Sequence, residues 1–186
     1  MSNKDSLFKI DMYIADMDRQ YYCDHHLRLV RYPHETLEHL MLRLMAFVMF
    51  AHRELKFTPY QGAQQEAHLL QVNDMEEIEN WIIVGQPGEK LLKRACQKSP
   101  KVMVVNADDR LTGNWWQKEQ HRLGMLDNLE VVHIPQDQLA SLTPMCELNM
   151  KWQINILDGE ILVHDQHSAI LIKPEHLKHL RTAQAA

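Results

Sequence analysis

Residues 67–105 read AHLLQVNDMEEIENWIIVGQPGEKLLKRACQKSPKVMVV, and the order of the elements predicted in this segment determines the fold class. Its first part contains two largely apolar segments, 67–72 and 78–84, and the second is rich in the β-branched and aromatic residues typical of strands. The polar run 73–77 lies between them and is a suitable connection for a hairpin. We therefore predict two antiparallel strands at the start of this stretch.

The second part of the stretch predicts a crossover. Gly85-Gln86-Pro87-Gly88 ends the second strand, because glycine and proline this dense interrupt regular structure. Residues 89–98 form a short amphipathic pattern, and an apolar strand follows over 101–105. Strand, helix and strand joined by short loops form a parallel crossover unit. A hairpin that leads into such a crossover predicts a mixed sheet with flanking helices.

The remaining chain adds strands and helices around this unit. We predict the following elements from the apolar periodicity and from the turn and cap signals: paired strands at 7–15 and 21–31, a long helix over 34–54, a helix capped by Thr112 or Asn114 that runs to about Leu123, a strand at 129–134, a helical segment at 136–142, a hairpin around Asp158-Gly159, a last strand at 169–173 and a short helix from His176. The fold class is therefore α/β, more narrowly α+β. No repeat or linker divides residues 1–186, so one domain is expected, with a peripheral tail after about residue 174.

Composition excludes several classes of protein. The chain has 186 residues, 45% of them hydrophobic and 24% charged, which fits one globular domain with a real core. A net charge of -5 argues against a broad, sequence-independent grip on nucleic acid. Three widely spaced cysteines suggest neither a zinc site nor a disulfide framework, which indicates a cytoplasmic protein. No apolar run reaches the ~20 residues of a membrane helix, so no membrane partner is expected.

Several motifs together give the sequence a family resemblance. The chain resembles the YaeQ family of small bacterial proteins, and the similarity extends to about Leu171. The segments that carry it are LRLVRYPHET at 27–36, MLRLMAF at 41–47, WIIVGQPGEK at 81–90 with KRAC at 93–96, DMDR at 16–19, Trp115-Trp116 and the Asp158-Gly159 hairpin. The family in turn resembles the PD-(D/E)xK nuclease superfamily, which implies a restriction-endonuclease-like core.

The resemblance also implies a metal site. Nucleases of this kind bind Mg²⁺ through carboxylates, and the metal activates water and neutralises phosphate charge. Glu35 matches the acid on the long helix, and Glu66 matches the acid at the first strand of the hairpin. Gln86 and Lys90 are the polar residues near the turn that could assist catalysis. The implied cofactor is Mg²⁺, held by Glu35 and Glu66, and the implied substrate is nucleic acid.

One position departs from the family pattern. Relatives read Trp-Ile-Glu-Val-Gly-Gln-Pro in the second hairpin strand, whereas this chain has Ile83 at the glutamate position. Gly85 stands two residues later, where active nucleases carry lysine. Glu79 is on the same face of the strand as Ile83, but some ~13 Å away at a rise of about 3.3 Å per residue. The site therefore lacks one central metal ligand.

Each candidate also has a purely structural interpretation. Glu35 and Glu38 could simply complement the dipole of the predicted helix, at whose start both lie. Glu66 could be a solvated loop residue, and Lys90 could belong to a solvated helix face. Two hypotheses follow: a degenerate nuclease that acts as a binding or scaffold protein, or a divergent Mg²⁺-dependent nuclease. The expected partner is nucleic acid or another protein.

Overall fold

The computed structural model describes residues 6–181, apart from the side chain of Ala63. The fold is mixed α+β with two mixed sheets and four α-helices within the described residues. The strands are β1 Leu7–Asp16, β2 Tyr21–Val30, β3 Leu55–Phe57, β4 Leu69–Val72, β5 Ile78–Val84, β6 Lys101–Asn106, β7 Leu129–His133, β8 Asn149–Leu157, β9 Glu160–His164, β10 Ala169–Ile172 and β11 Glu175–Lys178. The helices are α1 Leu37–Met49, α2 Glu89–Lys98, α3 Asp109–Leu123 and α4 Gln136–Ser141, with 3₁₀ turns at Gly62–Gln64 and Thr143–Met145.

Two compact units divide the chain. Of the described residues, unit 1 takes in 6–53 and 135–174, and unit 2 takes in 54–134 and 175–181. Each unit contains one of the two sheets. The sequence predicts a single mixed sheet, so the second sheet is a correction. The second sheet forms because β8 pairs in parallel with β1, which lies far away in the sequence. Patterns within a single segment of sequence do not predict such a long-range pairing.

Unit 1 contains a five-stranded sheet in the order β10-β9-β8-β1-β2. The β1–β2 pair is antiparallel, as predicted, and so is the β8–β9 hairpin around Asp158-Gly159. In β1, Phe8, Ile10 and Met12 are buried while their neighbours in sequence are exposed. This alternation gives the sheet one apolar face, as the period of two in the sequence predicts.

Unit 2 contains a six-stranded sheet in the order β11-β7-β6-β5-β4-β3. The β4–β5 pair is antiparallel, and β5, β6 and β7 run parallel with α2 and α3 as their crossovers. The predicted hairpin and crossover are therefore confirmed as elements. Helix α2 has the predicted bounds, and Gly88 is its N-cap.

Two predicted helix starts and one predicted element type are wrong, each for a physical reason. The long helix begins at Leu37 rather than at 34, because the Thr36 side chain accepts a hydrogen bond from the His39 N–H and caps it. Helix α3 begins at Asp109, because Asp108 accepts the Leu111 N–H. The segment from His176 is not helical.

That last segment instead forms β11, which pairs antiparallel with β7 and completes the edge of the sheet. Without β11, β7 would be an edge strand with unpaired backbone N–H and C=O groups. A strand beside β7 pairs with these groups, whereas an isolated helical turn would leave them unpaired. None of the helices within residues 6–181 is both long and apolar enough to cross a membrane. Residues 182–186, the end of the predicted tail, lie outside the described residues.

Candidate functional site

The carboxyl ends of β5, β6 and β7 meet at one edge of the unit 2 sheet. Parallel strands joined by helices bring their exit loops together, and this edge is where open α/β sheets bind ligands. The first exit loop is Gly85–Gly88, and Asn106 and His133 are the last residues of β6 and β7, directly before the second and third exit loops. The polar side chains at these three strand ends make this end of the sheet the candidate site.

The loop after β5 is held in a fixed shape. Gly85 has a φ of +103°, a conformation that side chains disfavour, and its N–H donates to the Val105 carbonyl at 2.9 Å. The Trp115 indole donates to the Pro87 carbonyl at 3.1 Å. Gln86 is exposed, and its Nε2 lies 3.4 Å from the Thr112 hydroxyl in the first turn of α3. The predicted candidate Gln86 therefore lies in the first exit loop, and its side chain reaches the first turn of α3.

His133 and Asn106 are two buried polar residues at this end of the sheet. They are neighbours across β6 and β7, with 8% of His133 and none of Asn106 exposed. Nε2 of His133 lies 2.9 Å from Oδ1 of Asp109, so the carboxylate fixes the proton on Nε2. Among the described residues, Nδ1 of His133 and both amide atoms of Asn106 have no hydrogen-bond partner. The arrangement leaves an imidazole lone pair and an amide to interact with a polar group.

These two residues are absent from the sequence-based candidates. The missing information is the register, because only the pairing of Asn106 with His133 shows that the two strand ends coincide. The available signal was the order of two consecutive crossovers, which sends all three exit loops to the same edge.

Ile83 lies within an apolar cluster of unit 2. Its side chain is 3% exposed and packs in the cluster that contains Trp81, Leu92 and Val104. The cluster therefore fills the space around this position with hydrocarbon. The Ile83 side chain provides no oxygen ligand for a metal, and the apolar residues packed against it exclude solvent.

Glu66 and Lys90 lie in unit 2 along with Gln86. Oε1 of Glu66 forms an ion pair with Nη2 of Arg94 on α2 at 2.5 Å, and both side chains are partly exposed. Lys90 is exposed in the first turn of α2. Within the described part of unit 2, no hydrogen bond or ion pair joins any two of the three candidates Glu66, Gln86 and Lys90.

Glu35 belongs to unit 1 and lies in the turn before α1 rather than on the helix. Its carboxylate accepts hydrogen bonds from the Tyr32 N–H at 2.8 Å and from Arg43 at 2.7 and 2.6 Å. His39 Nδ1 lies 2.5 Å from its Oε1. Four contacts thus use both oxygens of a side chain that is 2% exposed.

The electrostatics of Glu35 follow from these contacts. Burial acts to raise the pKa of its carboxyl, but hydrogen bonds from His39 and Arg43, the Arg43 charge and the Tyr32 N–H outweigh it. Together they lower the pKa of Glu35 to about 2. The group is therefore a carboxylate at neutral pH, with its charge already neutralised by Arg43.

Comparison with known proteins gives a consistent match. A family model described as "YaeQ protein" matches residues 1–174. The chain is 34% identical over 173 residues to "Uncharacterized protein YaeQ" of Salmonella typhi, covering 93% of this chain and 96% of that protein. It is also 34% identical over 165 residues to the protein of that name from Escherichia coli K12, covering 89% and 91%.

Two crystal structures share the fold. The YaeQ protein from Xanthomonas axonopodis pv. citri superposes with a TM-score of 0.90 at 30% identity, covering 94% of this chain and 99% of that one. The YaeQ protein from Pseudomonas syringae gives a TM-score of 0.88 at 22% identity, covering 97% and 100%. At that lower identity the second match bears on the fold alone.

Proposed function

The chain belongs to the YaeQ family, and we propose that it is a binding or scaffold protein that keeps a PD-(D/E)xK nuclease-like fold without metal-dependent nuclease activity. The fold part of the proposal rests on the order of β4, β5, α2 and β6, a hairpin followed by a parallel crossover. The loss of activity rests on the side chains at the implied metal site.

Ile83 is the single observation that carries the proposal. It occupies the position at which the family resemblance implies a metal-binding glutamate, and it is buried in an apolar cluster. Mg²⁺ takes oxygen ligands and retains several of its waters. A buried aliphatic side chain offers neither an oxygen nor room for that hydration shell.

The retained acids fit Mg²⁺ no better. Glu35 would have to exchange the Arg43 guanidinium, which neutralises its charge, for a metal ion. Glu66 is paired with Arg94. Since each acid already has a cationic partner, the residues present do not fit the implied ion, and no catalytic step is derived through it.

The proposed binding contacts lie at the carboxyl ends of β5, β6 and β7. The unpaired amide of Asn106 and the unpaired Nδ1 of His133 support this position, because buried polar atoms without partners in a native protein call for a water or a ligand. Gln86 adds an exposed amide at the same edge.

The test of activity is incubation of the full chain with single- and double-stranded DNA and RNA in the presence of Mg²⁺ or Mn²⁺. We expect no cleavage above the rate in buffer. Mg²⁺-dependent cleavage that is lost in Glu66→Gln, but retained in the control Glu160→Gln, would instead establish the alternative, a divergent nuclease. Glu160 is a suitable control because it is a half-exposed carboxylate in unit 1 that forms an ion pair with Lys173.

A further inference from the structure

Glu130, His176 and His179 form a compact group of potential metal ligands in unit 2. One ligand atom from each residue can be chosen so that all three atoms lie within 4.8 Å of one another. Glu130 is on β7, His176 is on β11 and His179 follows that strand directly. Both histidines come after residue 174, the last residue that the family model matches.

The backbone around this group is fixed on both sides. Strand β11 pairs with β7, and a register irregularity lies between His176 and Lys178. Beyond His179, the Arg181 N–H donates to the Asp127 carbonyl at 2.9 Å. The two histidines are thus held beside β7 by hydrogen bonds before and after them, which lowers the entropic cost of bringing three ligands together.

The side chains themselves already interact. Nδ1 of His176 lies 2.9 Å from Oε1 of Glu130, and the rings of His176 and His179 stack with their centroids 4.7 Å apart and their planes at 8°. Glu130 is 14% exposed and His176 is 33% exposed. The carboxylate is therefore sheltered while the imidazoles remain reachable from solvent.

We propose that Glu130, His176 and His179 bind one Zn²⁺-like transition-metal ion, with water at the fourth position. Two imidazoles and one carboxylate are a ligand set used by zinc sites with an open position, at metal–ligand distances of about 2.0–2.2 Å. Ligand atoms around such an ion are separated by less than about 4.4 Å, twice the longest of those distances. In the stack the two imidazole planes are nearly parallel and their lone pairs do not converge, so binding requires both rings to rotate about their side-chain bonds until the ligand nitrogens face one ion.

The choice of metal follows from the ligand type. Imidazole suits Zn²⁺, Cu²⁺ and Ni²⁺, whereas Mg²⁺ prefers oxygen ligands only. The site is therefore distinct from the implied magnesium site and does not depend on the proposed function. Two cations lie near the group, but both are engaged: Lys178 Nζ donates to the Leu129 carbonyl at 2.7 Å, and Arg181 pairs with Asp127 at 3.1 Å.

The test uses the full chain, freed of metal by a chelator, without an affinity tag that contains histidine. Titration with Zn²⁺ in a calorimeter, and with Co²⁺ followed by its visible absorption, is expected to give one ion per chain. Mg²⁺ is expected to give no signal. Replacement of both imidazoles in His176→Ala/His179→Ala is expected to weaken binding by more than about tenfold, the loss that even outer-shell substitutions cause.

A matched control and a third ligand variant complete the experiment. His121→Ala removes another exposed histidine of unit 2, on α3, and should leave the titration unchanged. Glu130→Gln should weaken binding with the circular dichroism spectrum preserved. If the double histidine variant binds Zn²⁺ as tightly as the parent chain, or the parent chain binds none, the proposal is wrong.

Discussion

Arg43 donates hydrogen bonds from Nε and Nη2 to the two carboxylate oxygens of Glu35, at 2.7 and 2.6 Å. The side chains are 1% and 2% exposed, so this is a buried, bidentate ion pair. The guanidinium also donates to the Val30 carbonyl and lies 3.7 Å above the ring centre of Tyr32. Glu35 and Arg43 thereby connect the end of β2, the following turn and α1.

Loss of the cation in this pair should be costly. Arg43→Leu leaves the Glu35 carboxylate buried without its counter-charge, and such breaks cost about 3–5 kcal/mol. We expect the free energy of unfolding in urea at neutral pH to fall by that amount. The matched control is Lys173→Met, which breaks an ion pair with Glu160 whose side chains are 57% and 44% exposed. The control should cost less than about 1 kcal/mol, and equal losses in the two variants would refute the structural role of Arg43.

Acid should weaken unit 1 through the same carboxylate. The folded pKa of Glu35, about 2, lies below its ordinary value of 4.5, so folding favours the ionised form. This contribution to stability is complete above pH 4.5 and declines as the pH falls from 4.5 towards 2. We expect urea midpoints to decrease across that window.

The Glu35→Gln variant supplies the control for this pH dependence, because it has no carboxyl to protonate. Its unfolding free energy, measured at the same pH values, should fall less steeply below pH 4.5 than that of the parent chain. Parallel curves for the two proteins would mean that other acids cause the decline and that the pKa of Glu35 is not depressed.

Local signals predicted the central part of unit 2 correctly. The glycines and the proline of Gly85–Gly88 interrupt regular structure, so this segment ends β5 and precedes α2. The segment from β5 to β6 could therefore be predicted without knowledge of the rest of the chain. The same holds for the Asp158-Gly159 hairpin, where both residues adopt positive φ.

Features that depend on distant pairing were not predictable. The sequence around His176 gives no strand pattern, and β11 exists because β7 offers an open edge. Likewise, the partner of Glu35 is Arg43, eight residues away, whereas the helix-dipole interpretation gives Glu35 no side-chain partner. The pairing of Asn106 with His133 depends on the register of two strands. Periodicity within one segment contains none of this information.

Substitutions at Ile83 test whether its surroundings are apolar or can accept a metal-binding carboxylate. Ile83→Glu places a carboxylate in the apolar cluster, and we expect a loss of about 3–5 kcal/mol in the free energy of unfolding, as for an unpaired buried charge. Ile83→Val, which only shortens the side chain, should cost about 0.5–1.5 kcal/mol.

The response of the Ile83→Glu variant to metal tests whether the other ligands of the implied magnesium site are in position. Because Glu35 and Glu66 are paired with arginines, we expect Mg²⁺ to leave the thermal unfolding midpoint of this variant unchanged. A midpoint that rises with Mg²⁺ in the variant, but not in the parent chain, would show that the other ligands are in position. The chain would then be a nuclease scaffold that lacks a single ligand.

The stability of an Asn106 variant tests the candidate site at the carboxyl ends of β5, β6 and β7. Its amide is fully buried, and neither Oδ1 nor Nδ2 has a hydrogen-bond partner within residues 6–181. An unsatisfied buried polar group costs about 1–3 kcal/mol. Asn106→Leu removes that cost at similar volume, so we expect the free energy of unfolding to increase by about 1 kcal/mol. The control is Asn128→Leu, because the Asn128 amide donates to the Cys96 and Ser99 carbonyls at 2.9 and 2.8 Å. That variant should lose stability, since two carbonyls are left without their donor.

A gain in stability in Asn106→Leu is the result expected of a residue retained for function. If Asn106→Leu is instead destabilised as much as Asn128→Leu, an internal water satisfies the Asn106 amide. The carboxyl end of β6 then contains no polar group kept for binding.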